Sequence, residues 1–397
     1  TFWVGLAFFG ICSFWQIYDA IVPLLLKDAF DVGETWIGAI MAADNVLALF
    51  LLPVLGALSD RTRTRYGRRF PYIIGGTVAA AVLMQGIPMA ANRISLPLFM
   101  IALGLVLLAM ASYRSPAVAL MPDMTPKPQR SQANAVINLM GALGGILSLG
   151  LIALLSPKGE SHDYTLLFLS VGAVMLAALV IQRIKVKEPE AVLEEAGEAQ
   201  HAQARLARPV RRSLLLLLAS IFLWFFGYNA VTTFFSNYAR QYWGLERGMF
   251  SYALMVAQGA AIVMFLPSGM LAQRIGRKRT ILAGIAVLVL AFATGGLFTR
   301  FHAAILLCFA LAGVGWAAIN VNSLPMVVEL CRGADTGRYT GYYYTASMAA
   351  QILTPILAGA LIERVGYGIL FPYGAAFVAL SLLTLLMVRH GDVKEAA

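Results

Sequence analysis

Apolar residues dominate the chain in long runs that are separated by short polar stretches. Twelve of these runs have 18 or more residues, which is enough for a helix to cross the hydrocarbon core of a bilayer. Because lipid offers the backbone no hydrogen-bond partner, such spans are expected to be helical. The pattern therefore predicts an all-α polytopic membrane protein with spans at roughly 2–27, 35–58, 71–91, 96–121, 132–155, 164–183, 213–238, 249–272, 280–299, 303–330, 338–362 and 368–388.

The composition and the placement of basic residues indicate a membrane protein of defined orientation. The 397 residues are 60% hydrophobic and only 13% charged. With both termini in the cytoplasm, 22 of the 30 Lys and Arg residues fall in cytoplasmic loops and the tail, against seven in the opposite loops. The net charge of +10 is therefore a signal of topology and not of nucleic-acid binding. We expect a monomeric, multi-pass protein of a bacterial inner membrane, in contact with membrane lipid.

The chain repeats itself at a lag of about 210 residues. FWQIYDA at 14–20 matches WFFGYNA at 224–230. The loop GALSDRTRTRYGRR after span 2 matches the loop GMLAQRIGRKR after span 8. Asp123 and Glu329, near the ends of spans 4 and 10, correspond at a similar lag. Three matches near one lag indicate an internal duplication.

The duplication predicts two six-span halves. The N-terminal half covers 1–183 and the C-terminal half 213–397, with a charged, Ala-rich cytoplasmic linker at 184–212. Repeated halves of this kind are found in many secondary transporters, whose substrate binds near the midplane between the halves.

Two segments carry a resemblance to a known family. GALSDRTRTRYGRRFPYI at 56–73 is similar to the loop signature of the major facilitator superfamily, in the form found in sucrose/proton symporters of plants and animals and their bacterial relatives. SPAVALMPD from Ser115 and RSQANAVINLMGALGGIL from Arg130 resemble the same group. They are more weakly similar to the glycoside–pentoside–hexuronide:cation symporters, which include the melibiose type. The resemblance implies a twelve-helix transporter that moves a sugar by alternating access.

The resemblance also assigns a gate to the cytoplasmic ends of the spans. In the family, charged groups there hold the halves together while the site faces outward, and they separate when the site opens inward. Asp123 and Glu329 are expected to pair with the arginines that follow them in the sequence. For Arg63 and Arg65, simple anchoring to anionic lipid remains the alternative. The gate residues implied are Asp60, Arg61, Gly67, Arg68, Asp123, Arg130, Arg274, Glu329 and Arg338.

Two carboxylates interrupt the first two spans. At 1.5 Å per residue, Asp19 lies about 10 Å and Asp44 about 14 Å from the outer ends of their spans. An acid at such depth costs about 2.5–3.5 kcal/mol on insertion scales, so it usually faces the bundle interior and has a function. The alternative is a structural pair with Arg114, the one basic residue inside a span. The same arithmetic makes direct contact between Arg114 and Asp19 unexpected.

The coupling ion is expected to be a proton. On the resemblance, the coupling acids of the relatives fall on positions that carry no acid here: on Ala48, Leu52 and Arg114 for the melibiose type, and near Leu107 for the plant sucrose carriers. A sodium ion needs several oxygen ligands, whereas a lone or paired acid that is shielded from water suits a proton. Asp44 and Asp19 are therefore the predicted proton-coupling residues, and no metal or cofactor is expected.

Polar and aromatic side chains within the spans are candidates for the cargo site. Amides and hydroxyls donate and accept hydrogen bonds, as a polyhydroxylated ligand requires. Aromatic faces suit the apolar side of a sugar ring. Helix–helix hydrogen bonding and interfacial anchoring are the alternatives for these side chains. The predicted substrate-binding residues are Tyr18, Arg114, Asn138, Tyr228, Asn229, Gln258, Trp316, Asn320 and Tyr343.

Three function classes are compatible with twelve spans. They are a proton-coupled sugar symporter, an exporter of drugs or other small molecules on the same fold, and a membrane enzyme or receptor. The amides of spans 7 and 10 favour a polar cargo, and the four histidines lie in loops or the tail without a catalytic arrangement. We predict proton-coupled symport of a disaccharide or glycoside such as sucrose or maltose, and no enzymatic activity.

Overall fold

The computed structural model describes residues 2–125, 130–157, 162–186, 208–246, 248–330 and 336–390. It describes the backbone alone for residues 53, 60, 122, 130–132, 134, 135 and 336–338. In these ranges the regular structure is helical and no strand occurs. The helices are α1 (Leu6–Asp28), α2 (Glu34–Arg61), α3 (Phe70–Leu83), α4 (Gly86–Asn92), α5 (Leu96–Met124), α6 (Arg130–Leu155), α7 (Thr165–Lys185), α8 (Arg208–Gln241), α9 (Phe250–Ile275), α10 (Arg277–Gly295), α11 (Ile305–Val328), α12 (Thr336–Val365) and α13 (Leu370–Leu386), with a 3-10 turn at Tyr367–Ile369.

Twelve segments of the described chain are long and apolar enough to cross a membrane, which confirms the predicted fold class. Several helices extend beyond the apolar runs. α2 continues to Arg61, and α8 begins at Arg208, a few residues before the predicted start of span 7. The backbone hydrogen bonds of a helix can continue into water because long basic side chains stay solvated there.

The third span is interrupted between α3 and α4. Pro88 has no N–H, so the carbonyl of Met84 loses its usual helical donor. The N–H of Ile87 donates to that carbonyl instead, at 3.2 Å. The Gln85 side chain ties the break to α7, because its Nε2 donates to the carbonyl of Phe168 at 3.2 Å. The interruption is therefore a local adjustment within one span.

The internal repeat is visible in the packing of the helices. α1 packs on α6 and α7, and α3 packs on α5; correspondingly, α8 packs on α12 and α13, and α10 packs on α11. The loop before α3 and the loop before α10 also share a backbone turn. Gly67 has φ of 98° and Gly276 has φ of 95°, in the region that glycine adopts without steric cost. The two glycines that the repeat aligns therefore make the same turn.

The chain divides into two compact units. The first takes most of the N-terminal half and the second most of the C-terminal half, except that residues 33–42 belong to the second unit and 246–252 to the first. Within the second unit, the first turns of α2 pack closely on α12. A Cβ at Gly38 would meet the carbonyl of Pro355. Thr35 Oγ1 donates a hydrogen bond to Glu363, which fixes the same contact.

Candidate functional site

Two carboxylates lie deep in the first unit, on consecutive helices. Asp19 precedes the end of α1 by nine residues, and Asp44 follows the start of α2 by ten. At 1.5 Å per residue, both lie about 14–15 Å from these helix ends. The two carboxylates interact electrostatically, and the hydroxyl of Tyr18 interacts with both. Helices α1 and α2 therefore place the two predicted coupling acids in one cluster.

The acids are enclosed by protein but retain access to water. The Asp19 side chain is exposed to solvent although many protein atoms surround it. Asp44 is half-buried, and Asn45 Nδ2 donates to its Oδ1 at 2.8 Å. A carboxylate that exchanges a proton needs this combination of partial desolvation and a route to water. Both side chains meet that condition.

Tyr18 differs from the acids because it is closed off from solvent. Only 1% of its surface is exposed, and its ring packs against Phe14 and Trp15 at centroid distances of 6.1 and 5.2 Å. Its contacts are with the acid cluster and with neighbouring rings. In this conformation Tyr18 adjoins the two acids from within the protein and does not line a solvent-exposed surface.

Arg114 of α5 joins the acid cluster. Its guanidinium lies over the indole of Trp15, 5.4 Å from the ring centroid, and interacts electrostatically with Asp19 and Asp44. In the described part of the chain, the salt bridges do not include Arg114. The Nε1 of Trp15 is buried and has no hydrogen-bond partner among the described groups. The cation–π contact with Trp15 was not apparent from the sequence, because nothing in the spacing of α1 and α5 indicates it.

A small cavity lies against this cluster, with room for about one water molecule. The resemblance places coupling acids of related carriers on three of its lining positions, Ala48, Leu52 and Arg114, and near a fourth, Leu107. Asp44 is the acid that faces the cavity in this chain. The lining residues are Trp15, Asp44, Ala48, Leu52, Leu107, Ala111 and Arg114.

The second unit contains an aromatic cluster on α8, α11 and α12. The rings of Tyr228 and Trp316 stack in parallel, with centroids 3.8 Å apart and an interplanar angle of 5°. Phe225 meets Trp316 edge to face at 5.2 Å and Tyr343 at 6.5 Å. Tyr343 is buried, and its hydroxyl hydrogen-bonds to Ser323 Oγ at 3.1 Å. The structure thus brings together three of the predicted cargo residues.

Two predicted amides adjoin this cluster along their helices. Asn320 follows Trp316 by one helical turn and is exposed, so the two share a face of α11. Asn229 follows Tyr228 directly, and its Nδ2 is buried without a hydrogen-bond partner among the described groups. By contrast, Asn322 is buried and donates to Ser268 Oγ at 3.0 Å, which is a helix–helix contact.

The other two predicted amides lie on separate helices. Gln258 is half-buried on α9 in the second unit. Asn138 is exposed on α6 in the first unit. Their positions leave the cargo role of each as a prediction from the sequence.

The predicted gate residues form ion pairs within each unit. Arg68 and Arg69 both contact Asp123, at 2.8 and 2.9 Å. In the second unit, Arg277 pairs with Glu329. The repeat aligns Arg68 with Arg277 and Asp123 with Glu329, so the two ion pairs are equivalent. Each joins the loop after one span to the end of another span in the same unit.

Arg69 and Arg277 are members of these ion pairs that the sequence did not single out. Arg69 is only 5% exposed and also donates to Ser59, so it is built into the fold. The signal for Arg277 was available, because it lies 209 residues after Arg68 in the repeat. Arg61 and Arg274 are exposed. The side chains of Asp60, Arg130 and Arg338 lie outside the described residues.

Comparisons with known proteins agree with this architecture. The sequence model of a family described as Major Facilitator Superfamily matches residues 4–266 and 236–396. The nucleoside transporter NupG superimposes with a TM-score of 0.73 at 14% identity, over 98% of this chain and 100% of that chain. A D-xylose-proton symporter superimposes with a TM-score of 0.72 at 15% identity, over 98% and 97%. At these identities the structural likeness concerns the fold.

The sequence relatives include transporters with different names and, for some, different named cargoes. An uncharacterised symporter of Synechocystis is 28% identical over 41% of this chain and 33% of its own length. Sucrose transport protein SUC4 of Arabidopsis thaliana is 28% identical over 35% of this chain and 30% of its own. Multidrug resistance protein 2 of Bacillus subtilis is 24% identical over 99% of this chain and 95% of its own. The first two matches therefore span about a third of those proteins.

Proposed function

The chain belongs to the major facilitator superfamily, and on that premise we propose that it is a secondary transporter that couples uptake of a sugar to protons. The observation that carries the proposal is the cavity in the first unit. Asp44 and Arg114 line this cavity together with Ala48, Leu52 and Leu107, the region to which the resemblance assigns the coupling acids of related carriers.

In this proposal Asp44 exchanges the coupled proton and Asp19 tunes that exchange. Protonation of Asp44 changes its charge from −1 to neutral and leaves Arg114 facing one acid instead of two. Loss of the proton restores the attraction between the guanidinium and both carboxylates. The ionised and neutral states of Asp44 therefore differ in how strongly α1, α2 and α5 are held together, which links protonation to conformation.

The cargo binds, in this proposal, on the aromatic and amide face of the second unit. Tyr228 and Trp316 present a flat apolar surface of the kind that packs against sugar rings. Asn320 supplies an exposed amide one helical turn from Trp316. Asn229 follows Tyr228 with a buried Nδ2 that has no hydrogen-bond partner among the described groups. A disaccharide or glycoside can pack its rings on the aromatic surface and form hydrogen bonds with the amides.

The equivalent ion pairs at Asp123 and Glu329 are proposed as parts of the gate. Each pair fixes the loop whose glycine makes the conserved turn of the repeat, at Gly67 or Gly276. Breaking either ion pair would change the contacts that this loop makes during the transport cycle. We assign the two halves to 1–183 and 213–397, with the linker at 184–212 and both termini in the cytoplasm. We also propose that the transporter acts as a monomer in a bacterial inner membrane.

Export of hydrophobic compounds is the second candidate function. The observation that favours it is the match to Multidrug resistance protein 2, which spans nearly all of both chains. The stacked aromatic pair also suits a flat apolar cargo. The amides beside the pair and the carboxylates in the first unit favour a polar cargo over this alternative.

A substrate panel in proteoliposomes separates the two candidates. Purified protein is reconstituted, a pH gradient is imposed, and entry of radiolabelled sucrose, maltose and simple glycosides is compared with that of a lipophilic cationic dye. The proposal predicts that an inward proton gradient concentrates at least one sugar and that a protonophore abolishes this. Dye movement without sugar accumulation would support the exporter instead.

A further inference from the structure

A cationic and aromatic cluster lies at one end of the first unit, apart from the acid cluster. Arg65 sits over the ring of Tyr66, 4.7 Å from its centroid, and donates to its hydroxyl at 2.6 Å. Arg183, in the last turn of α7, approaches the same ring at 5.3 Å and the ring of Phe70 at 5.6 Å. Two guanidiniums thus meet at one tyrosine, and we call this group the Tyr66 cluster.

No salt bridge among the described residues neutralises the Tyr66 cluster. In the part of the chain that the structure describes, the salt bridges include neither Arg65 nor Arg183. The neighbouring Arg68 and Arg69 behave differently, because both contact Asp123. Two like charges around one ring repel each other unless an anion lies nearby. An anion bound at the cluster would therefore offset this repulsion.

The surroundings of the cluster fit a membrane surface. α7 ends at Lys185, and Ile184 in its last turn is 69% exposed, so apolar surface adjoins the basic groups. Lys185 lies over the ring of Trp3, 5.7 Å from its centroid, which extends the mixed aromatic and basic rim. Aromatic and basic side chains of this kind gather where acyl chains give way to headgroups. This end of the unit is the one that the Lys and Arg distribution assigns to the cytoplasm.

We propose that the Tyr66 cluster binds the phosphate of an anionic phospholipid from the cytoplasmic leaflet. Arg65 and Arg183 hold the headgroup phosphate through charge-assisted hydrogen bonds, and the exposed aliphatic surface of α7 contacts the acyl chains. The lipid bridges the loop after α2 to the end of α7. That loop also carries Arg68 and Arg69, so bound lipid restrains the segment that contacts Asp123. The site goes beyond the proposed transport function and does not depend on the identity of the cargo.

Lipid retention tests the site without any transport measurement. The full chain is reconstituted in nanodiscs of phosphatidylcholine with an equal share of phosphatidylglycerol and is then extracted in mild detergent. Phosphatidylglycerol that stays with the protein is counted by native mass spectrometry. We expect wild-type protein to retain it in preference to phosphatidylcholine. Arg65→Gln with Arg183→Gln should reduce retention by about fivefold for each charge removed.

Three comparisons make the result decisive. The matched control is Arg279→Gln, an exposed arginine in the first turn of α10 in the second half, which should retain lipid like wild type. The double variant Arg65→Lys with Arg183→Lys should keep most retention because it keeps both charges. Undiminished retention in the double Gln variant, or an equal loss in the Arg279 control, would overturn the proposal. Displacement of the lipid by excess inorganic phosphate would also overturn it, since the site would then bind free anions.

Discussion

Asp44 on α2 and Arg114 on α5 line the same small cavity, and no salt bridge joins them among the described residues. The guanidinium is held instead over the indole of Trp15. Because the ring of Trp15 holds the guanidinium, Arg114 can interact electrostatically with Asp44 without forming a salt bridge to it. This leaves the acid able to gain and lose a proton. The arrangement is the physical basis for assigning coupling to the first unit.

The stacked pair of the second unit leads to a prediction about cargo affinity. Removing Trp316 takes away the partner of Tyr228 and the edge contact with Phe225. A stacked aromatic contact contributes about 0.5–1.5 kcal/mol beyond its buried area, so Trp316→Ala should raise the KM for sugar by about tenfold. Initial uptake rates across a range of sugar concentrations measure this. Trp36→Ala, at an indole that is 70% exposed, is the matched control and should leave KM unchanged. An unaltered KM in Trp316→Ala would remove this face from the cargo site.

The equivalent ion pairs predict equivalent defects in the transport cycle. Arg277→Ala leaves Glu329 without its partner, and Arg68→Ala weakens the contacts of Asp123. Both variants should reach the membrane and bind sugar, but exchange between the two sides should slow by about tenfold, as for the loss of one partly buried charged contact. Counterflow rates at saturating sugar report this step. Arg279→Ala serves as the exposed control. Wild-type counterflow in both variants would mean that these pairs only support the fold.

The shared turn of the repeat predicts a conformational requirement for glycine. Gly67 and Gly276 both have strongly positive φ, where a Cβ is disfavoured by about 1–2 kcal/mol. Gly276→Ala should therefore lower the thermal unfolding temperature of the purified protein in detergent, and Gly67→Ala should do the same. Gly75→Ala is the control, because a Cβ there meets nothing within 4 Å inside a helix. A variant at Gly276 as stable as wild type would show that the loop relaxes without cost.

The sequence predicted the spans well because hydrophobic length is the dominant constraint on a chain in lipid. The paired packing and the two glycine turns agree with the repeat, since duplicated sequences fold alike. The depth of Asp19 and Asp44 followed from helical rise alone. These features depend on position along the chain and on little else.

Side-chain partners were harder to predict. The contact of Arg114 with Trp15 depends on how α5 rotates against α1, which spacing does not specify. Arg69 was missed because an arginine in a basic loop looks solvated until its burial is known. The parallel stack of Tyr228 on Trp316 joins helices that are far apart in sequence. In each case the missing information was the rotation of a helix about its own axis.

If the two carboxylates carry the coupled proton, their removal should abolish proton-driven accumulation but leave sugar exchange intact. Asp44→Asn keeps the size and one hydrogen-bonding oxygen of the side chain but cannot carry the coupled proton. Net accumulation driven by a pH gradient should be lost, because nothing remains to be protonated at the cavity. Counterflow moves no net proton and should remain largely intact. Asp19→Asn should weaken accumulation in the same direction, since Asp19 interacts with Asp44. Asp31→Asn, at an acid in an exposed turn, is the control.

The most direct measurement compares sugar accumulation with counterflow in proteoliposomes that contain Asp44→Asn. Radiolabelled sugar is followed under an imposed inward proton gradient and, separately, with unlabelled sugar preloaded at equal pH. We expect no accumulation above equilibrium in the first assay and counterflow near the wild-type rate in the second. Accumulation equal to that of wild type in Asp44→Asn, and also in the double variant with Asp19→Asn, would contradict this expectation and assign both carboxylates to a structural role.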